Sequence, residues 1–201
     1  MVDGRIGGRL QSIFRDDCAS LVLSDHESEA MKGGFCVNQW LKREGYLRLK
    51  KRPTSVIDFD KVEVDWSRTK AWRWGGNYAR IFFNVKRREQ EGTPKPGEVE
   101  SENRELVERV MRIEVDEGRK MENRVLEPTL VYAEARRDNS DLTAYFENPD
   151  WRSAGTVGHE SLYPSENDKG PDDSVHSMEG VFLMSELGAN LRSEEINGGR
   201  A

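Results

Sequence analysis

The 201 residues carry a formal net charge of −6 and are 35% hydrophobic and 34% charged. A chain of this length and composition holds one domain with a modest core and long solvated stretches. Its acidity excludes a general nucleic-acid binder, whose phosphate contacts need a net basic surface.

The two cysteines, Cys18 and Cys36, lack CxxC spacing. They exclude a disulfide scaffold and a zinc ribbon and read as free thiols in a reducing compartment. The start has no apolar signal core, and no stretch approaches the ~18–20 apolar residues that span a bilayer. The expected location is the cytoplasm, with no membrane partner.

In chain order, Ile6, Leu10, Ile13 and Phe14 share one helical face, which predicts an amphipathic helix over 2–16. The run "ASLVLS" at 19–24 reads as a central strand covered on both faces. Helix then buried strand is the rhythm of a parallel α/β sheet. A short helix over 37–44 turns Val37, Trp40 and Leu41 inward, with Gly45 just past its end. "YLRLK" at 46–50 alternates and predicts a strand. Two further strands are expected at 69–74 and 78–85, then a turn-rich loop at 91–98. A second amphipathic helix at 101–113 places Leu106, Val110 and Ile113 on one stripe, and a short helix is expected near 127–136. Strands at 141–146 and 180–185 complete the elements, and 186–201 reads as a disordered tail.

Three polar spots carry metal-ligand chemistry: Asp25 with His26, His159, and His176. Ligand sites of open α/β sheets collect at the carboxyl ends of strands, and Asp25–His26 follows such a run. Imidazole with carboxylate suits zinc, and manganese less specifically. The same "SDHE" also matches a capping box, with Ser24 as the cap and Glu27 reaching back. His159 and His176, taken singly, also read as ordinary loop histidines. "WSRTKAWRWGG" at 66–76 interleaves tryptophan with arginine and lysine, a pattern that can stack single-stranded bases. The simpler expectation is a strand with its tryptophans packed inward and its charges in water. "NDKGPDDS" at 167–174 lacks EF-hand spacing and reads as a loop shaping the site near His176.

"LVLSDH", "NQWLKREGYLRLK", "VDWSRTKAW" and "GPDDSVHSMEGVFLMS", in that order, resemble the type I phosphodiesterase and nucleotide pyrophosphatase branch of the alkaline phosphatase superfamily. The resemblance covers most of residues 1–185. It implies an α/β fold, a mostly parallel sheet flanked by helices, with an antiparallel insertion at about 46–150. It also implies two divalent metals, usually zinc, a threonine or serine nucleophile and a phosphate-ester substrate. Asp25 and His26 match one metal site, His176 matches the other, and His159 lies in a stretch resembling a substrate loop.

Three departures qualify the match. The family's nucleophile, its first metal-binding aspartate and an Asp-x-x-x-His motif lie upstream of the Asp-His pair, whereas this chain has only 24 residues before Asp25. Glu27 stands where the family has glycine, and the end "ELGANLRSEEINGGRA" does not continue the family's closing segment. The expectation is therefore the carboxy-terminal part of a metal-dependent phosphohydrolase, truncated or degenerate, with weak metal binding and little activity alone. One alternative is half of an enzyme completed by a partner chain. Another is a non-catalytic binding module using 66–76. An unpaired edge on the strand at 19–24 predicts self-association.

Overall fold

The apolar run after Ala19 forms a strand in the computed structural model, which describes residues 20–115, 118–134, 139–147, 150–165 and 173–185. The expected helix at 2–16, the tail at 186–201 and most of the loop at 167–174 lie outside the described residues. The chain divides into two units, one built from residues up to Glu27 and from Glu179 onward, the other from Ser28–Met178.

In the first unit, β1 (Ser20–Leu23) pairs antiparallel with β10 (Phe182–Ser185), Leu21 opposite Met184 and Leu23 opposite Phe182. The expected central strand, covered on both faces, is not found. Leu23 and Phe182 are 62% and 60% exposed, and Leu21, Val22, Leu183 and Met184 are exposed too. A continuous apolar run makes contact on both faces favourable, but it does not specify which segments supply that contact.

The second unit holds the core. β2 (Ser28–Ala30) pairs antiparallel with β9 (Ser174–His176), and β3 (Gly33–Cys36) pairs parallel with β8 (Trp151–Ala154). Helix α1 (Val37–Arg43) follows β3 directly and buries Val37, Trp40 and Leu41 as the spacing predicts. Gly45 ends it at φ +87°, where the Tyr46 N–H donates back to the Leu41 carbonyl at 2.8 Å.

Residues 46–50 do not form the expected strand. Leu49 makes one isolated bridge to Val64, while Tyr46 and Leu47 enter the core. The Arg48 N–H donates instead to Thr69 Oγ1 at 3.1 Å, and the Tyr46 carbonyl accepts the Lys70 N–H at 2.7 Å. Side-chain and loop partners replace the ladder that alternation alone suggested.

β4 (Ala71–Arg73), β5 (Ala79–Phe83), β6 (Arg124–Leu126) and β7 (Leu142–Tyr145) form one antiparallel sheet in the order β4-β5-β7-β6. Its inner face presents Ile81, Phe83 and Leu142 to Phe35, Leu41, Leu106 and Phe146, all fully or almost fully buried. Helix α2 (Val99–Val110) contributes Leu106 and Val110 to this core, and Ile113 is buried just beyond its end. On its outer side the pairs Glu100–Arg104, Glu105–Arg109 and Glu108–Arg112 sit at i,i+4 with glutamate leading. The helix expected near 127–136 is a single turn, α3 (Pro128–Val131).

The protein is thus α/β in content, with few helices and several sheets, and the pairing is mostly antiparallel among the described residues. Among the described residues, β3 and β8 are the one pair of named strands that runs parallel.

The tryptophan–arginine stretch departs from its expected facing at Arg73 and Trp74, while Trp66 and Trp72 pack partly against the core and Arg68 and Lys70 face water. Arg73 is 7% exposed and turns inward with Ala71, whereas Trp72 is half-buried on the outer face and Trp74 is 49% exposed. Trp72 stacks on its cross-strand neighbour Phe82 with ring centroids 5.6 Å apart, and the Arg80 guanidinium lies 5.4 Å from the Phe82 ring.

Candidate functional site

Ser24, Asp25, His26 and Glu27 follow β1 and lead into β2, not into a helix. The capping-box reading is therefore overturned. The Ser24 hydroxyl oxygen accepts the Val181 N–H at 2.7 Å, and the Ser24 N–H donates to the Val181 carbonyl at 2.8 Å. With Glu27 N–H bonded to the Glu179 carbonyl at 2.8 Å, both ends of the Asp-His dipeptide are tied to the strand entering β10.

The dipeptide itself is outward-facing. The side chains of Asp25 and His26 are 89% and 35% exposed. The His26 backbone N–H donates to Asp25 Oδ1 at 3.1 Å, which orients the carboxylate. His26 Nδ1 lies 3.1 Å from the Glu27 carbonyl, and Nε2 lies 3.7 Å from Asp25 Oδ2. Metal-bound imidazoles commonly set one ring nitrogen against a backbone carbonyl, as Nδ1 is set here against Glu27. Two ligands on one tetrahedral zinc stand about 3.4 Å apart, close to this spacing.

His176 ends β9 opposite Ser28 and is exposed. Asp25 and His26 belong to the first unit, and His159 and His176 to the second. His159 is half-buried: its Nε2 is 2.7 Å from the Thr156 hydroxyl, and its carbonyl accepts the Gln39 side-chain amide at 3.2 Å. These contacts tie it into its own turn. Among the described residues no group of three or more His, Cys, Asp or Glu side chains is placed to hold one metal ion. Cys36 is a buried thiol, and Cys18 lies outside the described residues. No helix among the described residues is long and apolar enough to cross a membrane.

A second polar place lies in the second unit and draws Arg73, Trp74, Gly75 and Gly76 from the 66–76 stretch. A cavity of about 370 Å³ opens between the segment Asp58–Asp60, the β4–β5 turn and β8. Its floor is built by Arg73. The guanidinium donates from Nε to Ser153 Oγ at 2.7 Å, and from Nη2 to the Ser153 carbonyl at 2.6 Å and the Gly76 carbonyl. Buried Asn38 completes the frame. Its Oδ1 accepts the Arg73 N–H at 2.8 Å, and its Nδ2 donates to the carbonyls of Arg73 and Gly155 at 3.0 and 3.2 Å. One asparagine on α1 thus ties β4 to β8. The Gly75–Gly76 turn has positive φ at both residues, which glycine alone adopts cheaply. The available signal was a charged residue at an inward position of a strand, the arginine in "AWRW", followed by two glycines.

No family model, curated protein or solved structure matches the chain.

Proposed function

We propose that the chain is the carboxy-terminal part of a metal-dependent phosphodiesterase or phosphohydrolase of the alkaline phosphatase type. Asp25 and His26 hold one divalent cation, zinc by ligand chemistry with manganese second, and His176 belongs to the other metal site. The observation carrying this reading is the 3.7 Å separation of His26 Nε2 and Asp25 Oδ2, with Nδ1 against a backbone carbonyl.

For the finer fold reading, all four strands of the antiparallel sheet fall within 46–150, the span assigned to the insertion; outside it β3–β8 is parallel, whereas β1–β10 and β2–β9 are antiparallel. The buried Cys36 thiol supports a reducing, cytoplasmic location.

In such enzymes paired metals clamp the attacking and leaving oxygens of an in-line displacement and lower the pKa of the nucleophile's hydroxyl. Within this chain Asp25 supplies charge and His26 a neutral donor. His159 shapes a substrate loop through its Thr156 contact. No nucleophile is assigned here. Three or four protein ligands are the rule for tight zinc, so this pair binds weakly and the chain alone turns over little substrate.

A second reading is favoured by the exposed apolar ribbon β1–β10: a partner chain supplies the remaining ligands and covers the ribbon.

Zinc titration by calorimetry tests the metal assignment. Weak binding that disappears in both Asp25→Asn and His26→Ala is expected, and no zinc binding by the wild type refutes it. Hydrolysis of bis(p-nitrophenyl) phosphate with zinc or manganese tests the activity. Near-background rates are expected, and robust turnover abolished by Asp25→Asn would show a working site in the chain alone.

A further inference from the structure

The cavity over Arg73 has a lining divided by chemistry. Asp58, Phe59 and Asp60 are consecutive and contribute two carboxylates around an aromatic ring. Trp74 meets the buried Phe59 edge to face with centroids 6.2 Å apart, so Phe59 backs Trp74 and the exposed ring at the cavity is that of Trp74. Trp74 is half exposed at the cavity, although a tryptophan ring gains most from burial. Lys61 pairs with Asp58 at 2.7 Å, while the exposed Asp60 carboxylate lines the same wall. The other contribution is basic: Arg152 on β8, beside the Arg73 floor.

Aromatic faces flanked by carboxylates attract organic cations, quaternary ammonium groups above all, because the ring quadrupole and the nearby charge act together. A guanidinium attracts phosphate, and Arg152 supplies one while Arg73 is held by Ser153 and Gly76. A volume of 370 Å³ corresponds to a sphere about 9 Å across, at the small end of ligand pockets, and Asp60, Trp74 and Arg152 all line it.

We propose that this cavity binds a small zwitterion bearing a quaternary ammonium group and a phosphate. The ammonium lies on the exposed Trp74 ring beside Asp60, and the phosphate lies against Arg152. The Arg73–Ser153–Asn38 network holds the cavity in shape before the ligand arrives, which reduces the ordering cost of binding. Binding here does not depend on the metal chemistry assigned to Asp25, His26 and His176.

Isothermal titration of the full chain with phosphocholine tests the proposal, with choline and inorganic phosphate as separate ligands. Phosphocholine is expected to bind at least tenfold more tightly than either half. Trp74→Ala and Asp60→Asn are each expected to weaken it, the first by tenfold or more, and Trp74→Phe to restore most of the loss. Both positions are exposed, and unchanged far-ultraviolet circular dichroism and melting would establish that the variants fold. The proposal fails if phosphocholine does not bind, if inorganic phosphate or choline binds as tightly, or if Trp74→Ala binds like the wild type. Zinc titration of the same sample reads the metal reading separately.

Discussion

Replacing Gly158 with alanine tests whether the loop carrying His159 is held as described. Gly158 sits at φ +92°, and its N–H donates to Gln39 Oε1 at 3.2 Å. An added Cβ would overlap the Ser55 carbonyl oxygen and approach the Ser55 carbonyl carbon to 2.9 Å and Pro53 Cβ to 3.2 Å. Left-handed backbone costs an alanine about 1–2 kcal/mol. Overpacking against backbone, which cannot swing away, adds about 1–3 kcal/mol. A central value of about 3 kcal/mol lowers the melting temperature by about 6–12 °C for a chain of this size.

Gly118→Ala separates the two terms. Gly118 has φ +77° but nothing within 4 Å of its added Cβ, so only the conformational cost of about 1 kcal/mol applies. All five tryptophans lie between Ser28 and Met178, so tryptophan fluorescence during thermal unfolding follows that unit. If Gly158→Ala melts within about 2 °C of the wild type, or no lower than Gly118→Ala, the Ser55–Gly158 packing is wrong.

Two further predictions follow from single contacts. The Arg119 guanidinium, helped by the Trp151 indole N–H at 2.7 Å, holds the Glu147 carboxyl below the usual glutamate range. Because the folded pKa is lowered, this stabilisation is complete above the unfolded value near ~4.3 and is lost as pH falls through the folded value. Glu147→Gln should cost about 1 kcal/mol at pH 7 and progressively less as pH falls through the folded value, read by urea unfolding across that range; a cost that does not change with pH excludes the ion pair as its source. The cross-strand pair Leu23 and Phe182 should drive self-association of the chain, and the double substitution Leu23→Lys, Phe182→Lys should shift it toward monomer by light scattering. A wild-type chain that is cleanly monomeric at high concentration refutes this.

Several elements were legible because local signals were sufficient. Val37, Trp40 and Leu41 lie on one helical face before Gly45, and Leu106 and Val110 lie on one stripe of a longer helix. "ARIFF" alternates, and its register puts Ile81 and Phe83 inward. These signals depend on residues three, four or two apart, which lie on the same face once the local backbone forms. The metal candidates Asp25 and His26 were legible as residue types, but the local sequence could not separate a cap from a ligand pair. The contact that excludes the cap, Val181 N–H to the Ser24 hydroxyl, joins residues 157 apart in the chain.

What the sequence by itself determined about this protein is where α1, α2 and the strands β1, β4, β5, β7 and β10 lie; β2, β3, β6, β8 and β9 carried no local signal that set them apart. Only the tertiary structure decided how strands pair, because parallel and antiparallel ladders bury similar residues and differ in which distant segment supplies the hydrogen bonds. It likewise turned Arg73 inward and left Trp74 half exposed. A buried guanidinium is tolerable only where Ser153, 80 residues away, and Gly76 in the adjoining turn accept its hydrogen bonds.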